Sequence, residues 1–341
     1  MESNNQFNHG GDILTFSKKI GSKPKEIIDL SSNINFIKPK VKTDLNKIDI
    51  SNYPTYEKLY KIIAKKYSVK ADEIELFNGG SSAIFSFFRY LNLKHCTIYS
   101  PAYLEYKKAA QTFNYKLDLI NRFEDINKDV KKNSLVVFVN PSTPDGKYYN
   151  LDKLFNSWVK KSCTIFIDES FLDFCDKKST IEKLKSYDKL YILKSMTKIY
   201  SSASIRVGTI ISRADNIKKL KAKEPLWKLS HFDSIYLQNA IKNKDFINKT
   251  IKITNKNKQY TIKELEKFDF VKKIYKSEAN YLLLELKSFD AKDLQEKLLS
   301  YKIMIRDCSN FDFLGKNFVR VAIKDKKSMK LFIKALKKEF M

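Results

Sequence analysis

Short apolar runs rich in β-branched residues alternate with segments of helical periodicity between residues 74 and 215. Strands separated by helical segments favour right-handed crossovers. The alternation therefore predicts an α/β fold with a mostly parallel sheet and helices on both faces. The predicted strands are 74–77, 96–99, 117–120, 135–139, 164–167, 190–193 and 208–212.

The segments on either side of this region have different patterns. Residues 1–40 predict an arm with one short helix, from Asp12 to Ile20, that ends at Gly21. Beyond residue 240, a long helical period from Asp245 to Phe268 precedes a β-α-β-β-α pattern with strands 280–286, 303–306 and 318–323 and helices 291–300 and 327–339. A chain of 341 residues exceeds the size at which one core keeps growing. We therefore expect the arm (1–40), a large domain over 41–240 and a small α+β domain over 241–341.

The chain has a formal net charge of +26, which would attract polyanions to any fold. Its lysines are nevertheless scattered over the whole length and accompany no nucleic-acid-binding motif. A general compositional bias toward Lys, Ile and Asn accounts for the charge more simply, so we expect no nucleic-acid partner. The same charge suits an anionic, phosphorylated substrate.

The sequence predicts no metal centre, disulfide framework or membrane span. Cys96, Cys163, Cys175 and Cys308 lie far apart and lack the C-x-x-C spacing of a zinc site. The N-terminus is polar, and no apolar run approaches the length of a membrane span. We expect reduced cysteines, no metal, no membrane partner and a cytoplasmic location.

The candidate chemistry is centred on Lys198, in Ser195-Met196-Thr197-Lys198. A lysine amine forms a Schiff base with a carbonyl compound, and the neighbouring hydroxyls together with Arg206 supply three groups for one phosphate. A pyridoxal phosphate site needs these groups. In a chain with 65 Lys and Arg, however, a lysine near an arginine also arises by chance.

Two earlier segments supply the remaining groups for such a cofactor. Asp168 follows an apolar run and offers a carboxylate for the pyridine nitrogen. Gly80-Ser81 lies in a turn between an apolar strand and a helical segment, where a helix N-terminus binds anions, although such a turn is often only a turn. Gly80-Ser81, Asp168 and Lys198 all follow predicted strands, and the carboxyl ends of parallel strands form one edge of a sheet.

Several short segments along the chain have a combination of residues that is typical of one known superfamily. They are His9-Gly10-Gly11, Asp29 to Asn35, Tyr53-Pro54, Asp168 to Phe174, Ser195 to Arg206, Ala279 to Leu284 and Arg320 to Ile323. In this order they resemble the fold-type I aminotransferase superfamily. The His-Gly-Gly start and Asn33-Ile34-Asn35 resemble, more narrowly, the branch that holds histidinol-phosphate aminotransferases and the threonine-phosphate decarboxylase of cobalamin synthesis. The resemblance implies pyridoxal 5′-phosphate as the cofactor, bound to the catalytic Lys198.

The resemblance also implies cofactor contacts from Gly80, Ser81, Tyr103, Thr143, Asp168, Ser195 and Arg206. Tyr103 would lie flat against the pyridine ring, and a buried core tyrosine is the alternative. Asn140-Pro141-Ser142-Thr143-Pro144-Asp145-Gly146 departs from the family motif Asn-Pro-x-Asn-Pro-Thr-Gly, in which the second asparagine donates to O3′ of the cofactor. The Thr143 hydroxyl could replace that amide but is shorter, and Phe171 stands where many relatives carry a tyrosine that also bonds O3′.

Substrate contacts are implied for His9, Asn33, Arg306 and Arg320. The two arginines lie among apolar residues of predicted strands, where a guanidinium is costly unless it meets an anion. The resemblance assigns Arg320 to a substrate carboxylate and Arg306 to a substrate phosphate, with an intradomain salt bridge as the alternative for each. Asn33 would line the site entrance, and His9 would contact the phosphate or belong to a disordered tail.

Tyr53, just before Pro54, would reach the cofactor phosphate of the neighbouring subunit, so the resemblance implies a homodimer. The expected reaction is decarboxylation of phosphothreonine or phosphoserine to the amino alcohol phosphate. Transamination of a small phosphorylated substrate is the alternative. The outcome depends on which bond at Cα stands perpendicular to the cofactor ring, and no motif reveals that angle.

Overall fold

The computed structural model describes residues 10–42, 44–91 and 93–341. His9, a predicted substrate contact, lies outside these residues. The described helices are α1 Ile13–Lys19, α2 Glu57–Tyr67, α3 Gly79–Leu91, α4 Leu104–Thr112, α5 Asp152–Lys160, α6 Met196–Ile199, α7 Ala214–Lys221, α8 His231–Ile241, α9 Phe246–Leu265, α10 Ala291–Leu298 and α11 Lys326–Phe340. The described strands are β1 Ile28–Asp29, β2 Ile74–Phe77, β3 His95–Ser100, β4 Lys116–Asn121, β5 Leu135–Val139, β6 Thr164–Asp168, β7 Leu190–Ser195, β8 Gly208–Ile211, β9 Val271–Ile274, β10 Tyr281–Leu286, β11 Ile303–Met304, β12 Arg306–Asp307 and β13 Phe318–Ala322.

The large sheet has, within the described residues, seven strands in the order β2-β8-β7-β6-β5-β3-β4. Its neighbouring strands are parallel except at β8, which is antiparallel to both β2 and β7. The predicted mostly parallel sheet is therefore confirmed, and β2 points the same way as β6 and β7. The carboxyl ends of these three strands thus lie at one edge.

Alternate residues of the central strands pack into two separate hydrophobic cores. On β5, Val136 and Phe138 pack with the cluster on one face of the large sheet, whereas Leu135 and Val137 pack with the cluster on the other. Side chains alternate along a strand, so a sheet covered by helices on both faces is apolar at every position. This explains why the predicted strands are continuous apolar runs.

A smaller sheet, β12-β13-β10-β9 in the described residues, is antiparallel. The predicted single strand 303–306 is wrong in one respect, because it is divided into β11 and β12, which belong to different sheets. The Gln295 side chain explains the break, since it donates to Ile303 O and accepts from Ile305 N, at 2.8 Å each, and so satisfies the backbone between the two strands.

The arm packs against this smaller sheet. β1 pairs with β11 in parallel, and Leu30, fully buried in the same core, exchanges backbone hydrogen bonds with Met304 and Ala322. These contacts hold Ser31 and Asn33 at the edge of the cleft between the two sheets. The domain limits at residues 40 and 240 stay predictions.

The described helices include none that is both long and apolar enough to span a bilayer. No group of three or more His, Cys, Asp or Glu side chains in the described residues is arranged to hold a metal ion. All four cysteines are buried free thiols.

A buried lysine ties α9 to the start of β10. Lys258 Nζ donates to the carbonyl oxygens of Ser277 at 2.8 Å and Ala279 at 2.9 Å. Burial lowers the pKa of Lys258 to about 8, although the charge of Glu278 opposes the shift. The protonated amine is therefore less favourable in the folded protein than in the unfolded chain.

This shift predicts a stability change with pH. Between about pH 8 and the ordinary lysine pKa of 10.5 the unfolded chain binds more protons, so stability rises with pH in that window. Relative to Lys258→Met, the wild type should gain up to about 3 kcal/mol across it. Urea unfolding at several pH values measures the difference, with Lys256→Met on the exposed side of α9 as the control. A constant difference between wild type and Lys258→Met would contradict the prediction.

Candidate active site

The edge where β2, β6 and β7 end carries a cleft with two adjoining lobes. The α3 lobe, of about 340 Å³, lies at the start of helix α3. The arginine lobe, of about 210 Å³, lies toward the smaller sheet and contains Arg306 and Arg320. Lys198, Tyr103 and Asp168 line both lobes.

The α3 lobe brings together most of the predicted cofactor contacts. Its lining includes Gly80, Ser81, Tyr103, Asp168, Ser195, Lys198 and Arg206, together with Thr197. Two glycines allow this close packing. Gly79 has a φ of +83°, and a Cβ there would lie 2.4 Å from Arg206 Nη2, while a Cβ on Gly208 would lie 2.7 Å from the carbonyl carbon of Gly79.

Hydroxyl groups and one guanidinium converge in the α3 lobe. Ser195 Oγ lies 3.1 Å from Thr197 Oγ1, and Ser81 Oγ lies 3.2 Å from Tyr103 Oη. Arg206 donates to Ala203 O at 3.0 Å, which fixes its guanidinium beside the first turn of α3. Such a set of donors at a helix N-terminus suits a phosphate group.

Asp168 ends β6 with its carboxylate buried. The carboxylate accepts from Tyr106 Oη at 2.7 Å and from Ser170 N at 2.8 Å. Burial and the charge of Asp168 raise the pKa of Tyr106 well above its usual range, so Tyr106 stays a donor. Sequence reasoning missed Tyr106, although it lies one helical turn after Tyr103, a spacing that brings two residues to one helix face.

Lys198 lies in α6 with its Nζ 5.0 Å from the ring centre of Phe171. Burial lowers the pKa of Lys198, and the positive charges of Arg206 and Arg320 lower it further, while Asp168 opposes them. A lower pKa leaves more unprotonated amine near neutral pH. The unprotonated amine is the form that attacks a carbonyl carbon.

The Arg320 guanidinium is buried in the arginine lobe. Arg320 donates to Thr143 Oγ1 at 3.2 Å and to Ser31 O at 3.1 Å, and its buried Nε has no partner among the described residues. An intradomain salt bridge, the alternative predicted for Arg320, is absent from the part of the chain that the structure describes. Burial lowers the pKa of this group. Such a guanidinium suits an anionic ligand.

Arg306 and Asn33 also line the arginine lobe. Arg306 donates to Asn310 Oδ1 at 2.8 Å and to Asp307 O, and its guanidinium lies 5.4 Å from the ring centre of Phe311. Asn33 is buried, and its Oδ1 has no hydrogen-bond partner in the described residues. The lobe therefore offers both cationic donors and a free acceptor.

Thr143 lines the arginine lobe on a loop fixed by a buried ion pair. Arg122 contacts both carboxylate oxygens of Asp145, at 2.6 and 3.0 Å, and also donates to Thr143 O at 3.1 Å. Burial opposes the charge on Arg122, but Asp145 raises its pKa. Sequence reasoning missed Arg122, and the one signal was the unusual Asp145 in the motif.

Tyr53 does not line either lobe. It is 72% exposed and stacks on Trp227, with ring centres 4.0 Å apart. Ile50 and Leu226, close to them along the chain, are also exposed. We call these four side chains the Tyr53 patch.

Comparison with known proteins finds one matching family and several similar proteins. The sequence model of the family "Aminotransferase class I and II" matches residues 25–336. A histidinol-phosphate aminotransferase of Clostridium acetobutylicum has a solved structure with a TM-score of 0.81 and 32% identity, covering 91% of this chain and 98% of that one.

Two curated relatives are each 29% identical over 97% of this chain. One, from Caldanaerobacter subterraneus, is described as a threonine-phosphate decarboxylase and is covered over 93% of its length. The other is a bifunctional adenosylcobalamin biosynthesis protein of Leptospira interrogans, and the chain spans only 41% of its length.

The lowered pKa of Lys198 predicts selective labelling. With pyridoxal 5′-phosphate and borohydride, Lys198 should be modified at lower pH than a lysine with the ordinary pKa, because more of its amine is unprotonated. Mass spectrometry of peptides from samples trapped between pH 6 and 10 measures this. Lys198→Ala should lose the dominant label. Lys108→Ala, at an exposed position of α4, should keep it. A dominant label on another lysine would contradict the assignment.

Proposed function

We propose that this chain, which belongs to the family of class I and II aminotransferases, decarboxylates an O-phospho-amino acid such as phosphothreonine or phosphoserine. The resemblance predicted from the sequence is confirmed by the family, as is the expectation of a pyridoxal 5′-phosphate-dependent enzyme. The reaction and the roles of individual residues are our proposal.

The arginine lobe is the observation that carries the proposal. Arg320 and Arg306 line one small cavity beside Lys198, and the Nε of Arg320 is buried without a partner in the described residues. A substrate with both a carboxylate and a phosphate would offset both buried charges. An O-phospho-amino acid carries these two groups on either side of its Cα.

The residues of the α3 lobe fit the cofactor. We assign Gly80, Ser81, Ser195 and Arg206 to its phosphate, because these groups converge at the N-terminus of α3. Asp168, held by Tyr106 and Ser170, would keep a proton on the ring nitrogen, and Tyr103 would lie against the ring. Thr143, which accepts from Arg320, is the residue we assign to the O3′ side of the cofactor.

Bound at Lys198, the cofactor supplies an electron sink for the pair released when a bond at Cα breaks. Arg320 would hold the substrate carboxylate and Arg306 the substrate phosphate, with Asn33 at the site entrance. In the decarboxylation the Cα–carboxylate bond breaks, CO₂ leaves, and a proton is added at Cα. Lys198, with its lowered pKa, is placed to hold and return that proton.

Transamination is the second candidate function. It is supported by the 32% identity to the histidinol-phosphate aminotransferase of Clostridium acetobutylicum. The same lobe would then bind a phosphorylated amine, and Arg320 would bind the carboxylate of the second substrate. Decarboxylation and transamination differ in which bond at Cα is held perpendicular to the cofactor ring.

A homodimer with shared sites is also part of the proposal. Tyr53 is exposed and does not line the cleft of its own subunit. It stacks on Trp227 within the exposed, apolar Tyr53 patch. Exposed contiguous apolar surface is typical of interaction sites. We assign Tyr53 to the cofactor phosphate of the neighbouring subunit.

Release of CO₂ distinguishes the two reactions. The holoenzyme should release label from carboxyl-labelled O-phospho-L-threonine without any 2-oxo acid. Arg320→Gln should lower kcat/KM for both phosphothreonine and threonine, and Arg306→Gln should lower it for phosphothreonine by roughly ten- to a hundredfold, because each loses a charge-assisted pair. Arg213→Gln, exposed at the start of α7, is the control. If no product forms until a 2-oxo acid is added, the transaminase alternative holds.

Subunit complementation tests the dimer. Lys198→Ala and Tyr53→Ala should each be inactive alone or strongly impaired. Mixed and allowed to exchange, half of the dimers would contain one complete site of two, so about a quarter of the wild-type activity should return. Light scattering measures the size in parallel. A fully active monomer at assay concentration would rule out the shared site.

A further inference from the structure

A salt bridge joins the two walls of the arginine lobe. Lys107 Nζ lies 2.5 Å from Asp312 Oδ1. Lys107 is on α4, one turn beyond Tyr103, the residue that caps this helix. Asp312 lies in the loop 308–317, between β12 and β13. The pair therefore links a helix of the large sheet to a loop of the smaller sheet across the cleft.

The loop that carries Asp312 also orients Arg306. Asn310 accepts a hydrogen bond from Arg306 at 2.8 Å, and the ring of Phe311 lies under its guanidinium. Phe311 lines the arginine lobe, as does Leu104 at the start of α4. Asp312 is the next residue, so its position is coupled to that of the groups that hold Arg306.

The backbone of this loop does not favour its observed shape. Phe313 has a φ of +67°, in the left-handed region that residues with a Cβ rarely adopt, and it is half-exposed. Contacts must therefore hold the loop in place. Phe311 and Leu314 pack inward with Leu283, and the Lys107–Asp312 pair is the contact at the outer rim.

We propose that Lys107 and Asp312 form a latch that holds the loop 308–317 against α4 and thereby positions Arg306 for the substrate phosphate. The proposal rests on the proposed function, in which Arg306 binds that phosphate. The side chains are 38% and 17% exposed. Water screens an ion pair at this exposure, so the pair shifts an equilibrium by no more than about fivefold. A contact of this strength forms and opens readily, as a latch must.

The test compares kcat and KM for O-phospho-L-threonine and for L-threonine. Lys107→Met and Asp312→Asn should each raise KM for phosphothreonine by about three- to fivefold, with kcat within about twofold and threonine unaffected. The exchanged variant, Lys107→Asp with Asp312→Lys, should restore KM. Lys108→Met, on the exposed face of the same helix, is the matched control and should behave as wild type.

Equal rises in KM for phosphothreonine and threonine would overturn the proposal, because the pair would then not act through Arg306. Failure of the exchanged variant to restore KM, with its circular dichroism spectrum and Tm unchanged, would overturn it as well.

Calorimetry of inorganic phosphate binding to the holoenzyme separates this proposal from the proposed function. Weaker binding in Arg306→Gln and, by about three- to fivefold, in Lys107→Met would support the latch even if phosphothreonine were not a substrate. Weaker binding in Arg306→Gln alone would overturn the latch and leave the phosphate site standing.

Discussion

Arg320 imposes the strongest constraint on the cleft, because its guanidinium is buried and its Nε has no partner in the described residues. A buried charge without a counter-charge costs several kcal/mol. Arg306 and Lys198 line the same lobe, and burial together with the charge of Arg320 lowers the pKa of each. An anionic ligand in this lobe would offset the buried positive charge of Arg320.

The sequence predicts the large sheet well because both of its faces are covered. Each central strand is then an apolar run bounded by turns, so the sequence itself indicates where the strand begins and ends. The apolar pattern does not show the direction of a strand in the sheet, so the antiparallel orientation of β8 could not be predicted. β9 escaped prediction because its two central lysines are exposed and the strand lies at an edge of the smaller sheet. The break between β11 and β12 depends on Gln295, a residue of another element.

The same limit applies to the site. The shared location of Gly80, Asp168 and Lys198 in one cleft could be predicted, because each lies at or just after the end of a strand whose carboxyl end reaches one edge of the sheet. Tyr106, Arg122 and Lys107 act through partners distant in the chain, and a single sequence does not show which of its many charged residues meet. Strand ends in the sequence therefore predict the residues that line the cleft, but they do not predict the residues that hold those side chains in place.

The departure at Thr143 is understandable only together with Asp145. The Arg122–Asp145 pair is almost fully buried, and losing one partner of such a pair costs about 3–5 kcal/mol, so each residue constrains the other. Arg122 also donates to Pro101 O and Thr143 O, and thereby ties the two loops that carry these residues together. With that loop held, the short Thr143 side chain meets Arg320 at 3.2 Å. The buried pair therefore sets the loop that carries Thr143, and that loop brings the Thr143 hydroxyl to Arg320.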